Sequence, residues 1–241
     1  MLRPVATGEP ALRLQVVIPT LNAATTLSAA VAALRAGKTG MTVDILICDG
    51  GSVDATTKAA EALGLRVVRS EKGRGRQLRA GAKAALLDGD PDLLLFLHAD
   101  STLQPGWEEA VVGFAARADR DEKACYFQFA LDDAAPAARR LERLVAWRCR
   151  TFGLPYGDQG LLLTPALYRK LGGFNSLPLM EDVEIVQRIG RDNMFPLTAS
   201  LETSAQRYRQ SGYLRRSLRN LICLSLYFLG VPPHVLARLY G

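Results

Sequence analysis

Residues 91–102 read PDLLLFLHADST. Five apolar side chains, at positions 93–97, follow one another without alternation and end at His98-Ala99-Asp100. A half-exposed strand would alternate. An unbroken run of this length, entered from Asp88-Gly89-Asp90-Pro91, reads as a strand buried on both faces. Open α/β sheets bind their ligands at strand carboxyl ends, which makes Asp100 the first candidate functional residue.

Outward from this strand the pattern repeats. Residues 14–18 (LQVVI), 43–48 (VDILIC) and 65–68 (LRVV) predict three further strands, the first stopped by Pro19. Residues 27–36, 54–63 and 77–87 predict the helices between them, with Gly37 and Gly64 after the first two. This β-α-β-α-β-α-β spacing suits parallel units, whose right-handed crossovers put every strand carboxyl end on one edge. The second half predicts helices over 107–118, 137–149, 165–171 and 183–189, and strands over 125–131 and 161–164. The class is α/β, a mostly parallel central sheet flanked by helices.

The bulk numbers narrow the function. With 241 residues, 49% hydrophobic and 22% charged, the chain can bury a substantial core and is not disordered. Four widely spaced cysteines, Cys48, Cys125, Cys149 and Cys223, lack zinc-ligand pairing and read as buried thiols of a reducing compartment. Residues 1–12 lack a secretory apolar core, and no window has the ~20 apolar residues of a membrane span. A cytoplasmic protein is expected. No acidic residue follows Glu202, so Arg207, Arg209, Arg215, Arg216, Arg219 and Arg238 account for the whole net charge of +6. Nucleic acid does not explain them, because no basic-aromatic module accompanies them.

Three strand ends carry polar residues: Pro19-Thr20-Leu21-Asn22, Asp49-Gly50-Gly51-Ser52-Val53-Asp54, and His98-Ala99-Asp100. A stable sheet needs no carboxylates there. Gathered at one edge they suit a polyhydroxylated, phosphorylated ligand, although Asp54 also reads as a helix cap. The first βα turn has neither G-x-G-x-x-G nor the P-loop pattern, which argues against a dinucleotide-binding oxidoreductase and a P-loop protein. Gly73-Arg74-Gly75-Arg76 follows the third strand instead, either as a ligand-contacting turn or as a basic loop at a helix start.

The ordered set VVIPTLN, ICDGGSVD, GRGRQLRAG, FLHADS, YGDQG, LGGF and LMEDVEIVQR resembles family 2 glycosyltransferases with the GT-A fold, over residues 14–209. The likeness is to their short, single-domain bacterial members. It implies a nucleotide-sugar site, UDP-linked, formed by Pro19, Thr20, Asn22, Asp49, Asp54, Arg74, Arg76, His98 and Ala99. It places Asp100 as ligand of a Mg²⁺ or Mn²⁺ that bridges the donor diphosphate, a hard ion suited to oxygen ligands. The chain departs from the family's Asp-x-Asp at His98. The resemblance makes Asp182 the catalytic base of an inverting transfer. It sets Asp158 and Gln159 against sugar or acceptor hydroxyls, and Arg207 or Arg209 against the diphosphate.

Gln206-Arg207-Tyr208 only partly matches the Gln-x-x-Arg-Trp of processive relatives, which predicts transfer of one sugar. Residues 1–211 are expected to form the transferase domain. Residues 212–241 form a basic, apolar tail that either packs on it or lies at the inner face of the membrane, where a lipid acceptor would be natural. Two other readings stay open: a sugar nucleotidyltransferase and a non-catalytic nucleotide-sugar-binding module.

Overall fold

The computed structural model describes residues 11–37 and 40–240, so most of the 1–12 reading lies outside the described residues. The first half contains β1 (Arg13–Thr20), α1 (Leu27–Arg35), β2 (Thr42–Asp49), α2 (Thr56–Ala62), β3 (Arg66–Arg69), α3 (Arg74–Leu87) and β4 (Leu93–Phe96). Then come β5 (Ser101–Leu103), α4 (Trp107–Ala115), β6 (Ala124–Leu131), α5 (Pro136–Phe152), β7 (Leu161–Leu163), α6 (Pro165–Lys170), α7 (Glu181–Ile189) and β8 (Met194–Thr203). The C-terminal helices are α8 (Gln206–Ser211), α9 (Tyr213–Phe228) and α10 (Pro233–Tyr240).

One sheet in the order β3-β2-β1-β4-β7-β6-β8-β5 runs through the molecule. Only β7 and β5 oppose the common strand direction. The chain builds outward from β1 through β2 to β3, then returns to place β4 on the other side of β1. That reversal opens the crevice where α/β sheets bind ligands.

β4 is buried on both faces, as its composition requires. Leu93, Leu95 and Leu97 pack with Leu27 and Val31 of α1 and Val111 of α4. Leu94 and Phe96 pack with Leu78 and Ala82 of α3 and Ile185 of α7. Each such side chain contributes about 1.5–3 kcal/mol by leaving water. All four cysteines are buried and unpaired.

Several element boundaries differ from expectation for identifiable reasons. β1 does not stop at Pro19 but pairs through Thr20 with β2. The odd-numbered residues of β1 face β4, whose pairing ends at Val17, so the missing N–H of Pro19 forfeits no ladder bond. The Gly73-Arg74-Gly75-Arg76 segment is not a loop: α3 begins at Arg74. A Cβ on Gly75 would meet the Asn175 carbonyl and the Leu177 backbone, so only glycine lets α3 lie this close to the 175–177 segment.

β5 and β8 were not anticipated. β8 carries Pro196 beside a register shift against β6, and Gln128 Nε2 donates to the bulged carbonyls of Leu197 and Thr198 (3.2 and 3.3 Å).

α9 and α10 seat on the domain, with Cys223, Leu224 and Leu236 buried against Met180 and Val183 at the start of α7.

Because β4 has no solvent face, Leu95→Ala should lower the unfolding free energy by about 2–5 kcal/mol. Urea denaturation measures this, and a loss below ~1 kcal/mol would contradict the central placement of β4.

Candidate active site

The turns after β1 and β2 are tied into one unit. Asn22 Oδ1 accepts from Val53 N (2.9 Å), and Asn22 N donates to Ser52 Oγ (2.9 Å). Asp49 is buried and accepts from Thr20 Oγ1 (3.0 Å), Gly51 N (3.0 Å), and both N (2.8 Å) and Oγ of Ser52. Burial alone would raise its carboxyl, but these hydrogen bonds outweigh it and hold the group below the usual carboxylate range. Asp54 accepts from Ala24 N (3.2 Å) and Thr56 N (3.0 Å), closing the start of α2. Gln77, a buried amide on α3, donates to the carbonyls of Thr20 (2.6 Å) and Cys48 (3.0 Å). It clamps the ends of β1 and β2 together.

One face of this unit opens on a cleft lined by Pro19, Thr20, Asn22, Arg74, Asp100 and Arg207, with His98 and Ala99 at its floor. Asp49, Asp54 and Arg76 do not line it. Arg76 pairs instead with exposed Glu71 (2.5 Å). Of the tail arginines, Arg207 and Arg216 line the cleft, while Arg209 is engaged with Asp132 (3.1 Å).

The cleft continues to a second group of side chains: His98, Asp100, Tyr156, Asp158 and Asp182. Asp182 sits in the first turn of α7. Its Oδ2 accepts from Gly157 N (2.7 Å) and its Oδ1 from Val183 N (2.8 Å), so the two sequence motifs YGDQG and MEDV meet here. Each oxygen keeps a lone pair for another partner. A Cβ on Gly157 would lie 2.7 Å from His98 Nε2 and 3.3 Å from Asp182 Oδ2, so the backbone is pressed against both side chains. Gln159, by contrast, turns inward. Its Oε1 accepts from Arg148 (3.1 Å) and Tyr156 N (3.3 Å), and its Nε2 donates to Phe127 O (3.2 Å). It shapes the loop without facing the cleft.

The electrostatics are those of a crowded acid site. Burial pushes the His98 imidazole down to about 3, with Arg74 and Arg207 adding to the effect against Asp182, so the ring is neutral at physiological pH. Burial pushes the Asp158 carboxyl up to about 6, with Asp182 and Asp100 reinforcing and Arg148 and Arg74 opposing. Glu181, 1% exposed, is raised to about 7 by burial and by Asp182, although Arg74 stands 3.4 Å away. Sequence reasoning left Glu181 and Gln77 without roles. The signal for both was a polar residue on an apolar helix face.

Among the described residues, the two non-glycine positions with positive φ are Asn22 (52°) and Met180 (65°). Both flank the cleft, where strained backbone concentrates in functional sites.

No cluster of three or more His, Cys, Asp or Glu side chains stands ready to hold a metal among the described residues. The cleft does offer the Asp100 carboxylate and a buried Asp158 Oδ1 with no hydrogen-bond partner. That donor set fits a hard divalent ion that takes one or two protein carboxylates and completes its shell with substrate phosphates and water.

A family model described as glycosyl transferase family 2 matches residues 15–152. The chain belongs to this family. The family 2 match ends before Gly157 and Asp182, so the second half of the site rests on geometry. No curated protein matches the chain. Among solved structures, TarS 1-349 of S. aureus with UDP is similar at a TM-score of 0.62 and 16% identity, over 80% of this chain and 60% of that one. The mannosyltransferase PcManGT of Pyrobaculum calidifontis, with GDP-Man and Mn²⁺, gives 0.60 and 17% over 87% and 60%. Glucosyl-3-phosphoglycerate synthase of Mycobacterium tuberculosis, with Mn²⁺, UDP and its product, gives 0.52 and 18% over 80% and 70%. The likeness establishes the GT-A fold. This family 2 chain spans about 60% of the length of the TarS fragment.

Gly157→Ala should displace His98 or Asp182 without emptying the donor turns. Turnover of the sugar transfer that we propose for this cleft is expected to fall roughly 10²-fold, as for an ångström-scale misplacement, while affinity for UDP, the proposed leaving group, changes little by calorimetry. Unaltered turnover would show that the close contact is unimportant.

Proposed function

We propose that the chain transfers one sugar from a nucleotide diphosphate sugar, UDP-linked, to a hydroxyl acceptor with inversion at the anomeric carbon. The observation that carries this reading is the placement of Asp182. It is fixed by the Gly157 N–H across the same cleft that Asp100, Arg74 and Arg207 line on the donor side. The UDP and UDP-GlcNAc complexes of TarS, on the same fold, support a UDP-linked donor.

In this reading the nucleoside lies against Pro19, Thr20 and Asn22, on a turn that Asp49 and Asp54 brace from behind. Arg74 and Arg207 offset the charge of the diphosphate. Asp182 takes the proton from the acceptor hydroxyl, and that oxygen bonds to the anomeric carbon from the face opposite the diphosphate. The carbon–oxygen bond to the diphosphate breaks, and the nucleoside diphosphate leaves with the electron pair. A single displacement inverts the centre.

A Mg²⁺ or Mn²⁺ held by Asp100 and the donor phosphates would supply Lewis-acid neutralisation of the leaving group. Mn²⁺ in three of the similar structures supports this. Neutral His98 can hydrogen-bond the sugar or diphosphate, or serve as a ligand through a ring nitrogen. Asp158 offers its unpartnered Oδ1 to the sugar or acceptor hydroxyls. No described helix is long and apolar enough to cross a membrane. We place the enzyme in the cytoplasm, with residues 212–241 as the part that meets the membrane.

Asp182→Asn should keep UDP affinity and lose about 10²–10⁴-fold in turnover, followed as UDP release. Full turnover would remove Asp182 as base, and release of pyrophosphate in place of UDP would restore the nucleotidyltransferase reading.

Asp100→Ala should abolish the gain in UDP affinity that Mn²⁺ confers on the wild type, read by calorimetry with and without the ion. A preserved Mn²⁺ effect would take Asp100 out of the site.

A further inference from the structure

Helices α5 and α9 do not close on one another. They bound an apolar groove of about 940 Å³, comparable with the ~300–1,000 Å³ of small-molecule sites. Leu144 and Phe152 of α5 form one wall, and Leu214, Leu218 and Leu221 of α9 the other, each at helical spacing. These side chains are half or more exposed, up to 83% for Leu214. Contiguous apolar surface of this kind marks an interaction site.

We infer that this groove holds the hydrocarbon chain of a hydroxyl-bearing membrane lipid, which is the acceptor; the inference rests on the transferase reading above. Two observations select this occupant. The first is continuity, since Tyr156, Asp158, Tyr208 and Asn220 line both the groove and the cleft that contains Asp182. A chain lying in the groove therefore delivers its head group to the base. The second is charge. Exposed Arg140, Arg143 and Arg150 lie on α5, and exposed Arg215 and Arg219 on α9, the same two helices that carry the apolar stripes. Such a surface is drawn to anionic lipid headgroups. The same arginines disfavour a second copy of the chain, which would bring like charges together. On delivery the lipid hydroxyl gives its proton to Asp182, its oxygen bonds to the anomeric carbon, and the nucleoside diphosphate departs with the electron pair of the broken bond.

Trp147 lies in the groove at 50% exposure, whereas Trp107 is buried in the core, so tryptophan emission reports on the groove. The probe is vesicles of phosphatidylcholine and phosphatidylglycerol with brominated acyl chains. Wild-type emission should be quenched, and Trp147→Phe should lose the quenching. Leu218→Glu with Leu221→Glu should weaken vesicle binding roughly tenfold or more, while UDP affinity with Mn²⁺ stays at the wild-type value. Absence of quenching in wild-type protein that binds UDP overturns the proposal. So does a concentration-dependent dimer that Leu218→Glu dissociates, since the stripe then faces a second copy. Quenching in a protein that binds no UDP overturns the acceptor role together with the transferase reading, and leaves only a lipid-binding groove.

Discussion

Leu93, Leu94, Leu95 and Phe96 have water on neither side of the sheet, and a strand with two apolar faces does not choose its register by face. Its polar ends choose it. At the entry, Asp92 donates its N–H to the Arg13 carbonyl (2.9 Å) and accepts the Arg13 N–H on its carboxylate (2.8 Å). At the exit stand His98 and Asp100. A slip of one residue would drag Asp92 toward the core or pull Leu97 out of it, so Asp100 is delivered to one position beside Thr20 and Asn22. The donor side of the cleft, the start of β5 and the contact of His98 with Gly157 all depend on that delivery.

The cleft then works against the stability of the fold. Asp100, Asp158, Glu181 and Asp182 lie close enough that the charges of Asp100 and Asp182 help to raise Asp158, and that of Asp182 helps to raise Glu181. Burying carboxylates costs free energy unless they are paired. Arg74 and Arg148 offset part of this cost. Arg148 lies over the Tyr156 ring (3.4 Å to the centroid) and donates to Gln159, so one guanidinium both opposes the acid cluster and holds the loop that carries Gly157. The acids of this cleft are therefore only partly compensated within the chain.

What was legible in the sequence follows from what sequence patterns encode. The buried run 93–97 and the first βα units were legible because composition and period state burial directly. β8 was hidden because Pro196 reads as a breaker, and only the pairing of its carbonyls with Gln128 shows how the sheet tolerates it. Gly73 and Gly75 read as loop residues, whereas Gly75 is a helix position that the 175–177 backbone approaches. Motif matching gathers these residues but does not give the direction in which each side chain points. Asp49, Asp54 and Gln159 stand within the matched motifs and brace the turns, while Thr20, Asn22, Asp100 and Asp158 reach the cleft. Glu181 and Asp182 are adjacent in sequence, yet helical geometry sends Glu181 toward the part of the cleft beside Arg74 and Thr20, and Asp182 toward the part beside Gly157 and Tyr156.

The tail and Asp182 are joined through Met180. Met180, whose left-handed backbone precedes Glu181 and Asp182, is buried against Cys223, Leu224 and Leu236 of the tail helices. A strained residue holds its conformation only where surrounding packing over-determines it. The inward face of α9 therefore supports the turn that presents Asp182, while its outward leucines line the groove beside α5. One helix therefore packs on the turn that presents Asp182 and also lines the groove beside α5. Arg207 and Arg216, both beyond Glu202 and far in sequence from the turns after β1 and β2, line the cleft beside Asp182.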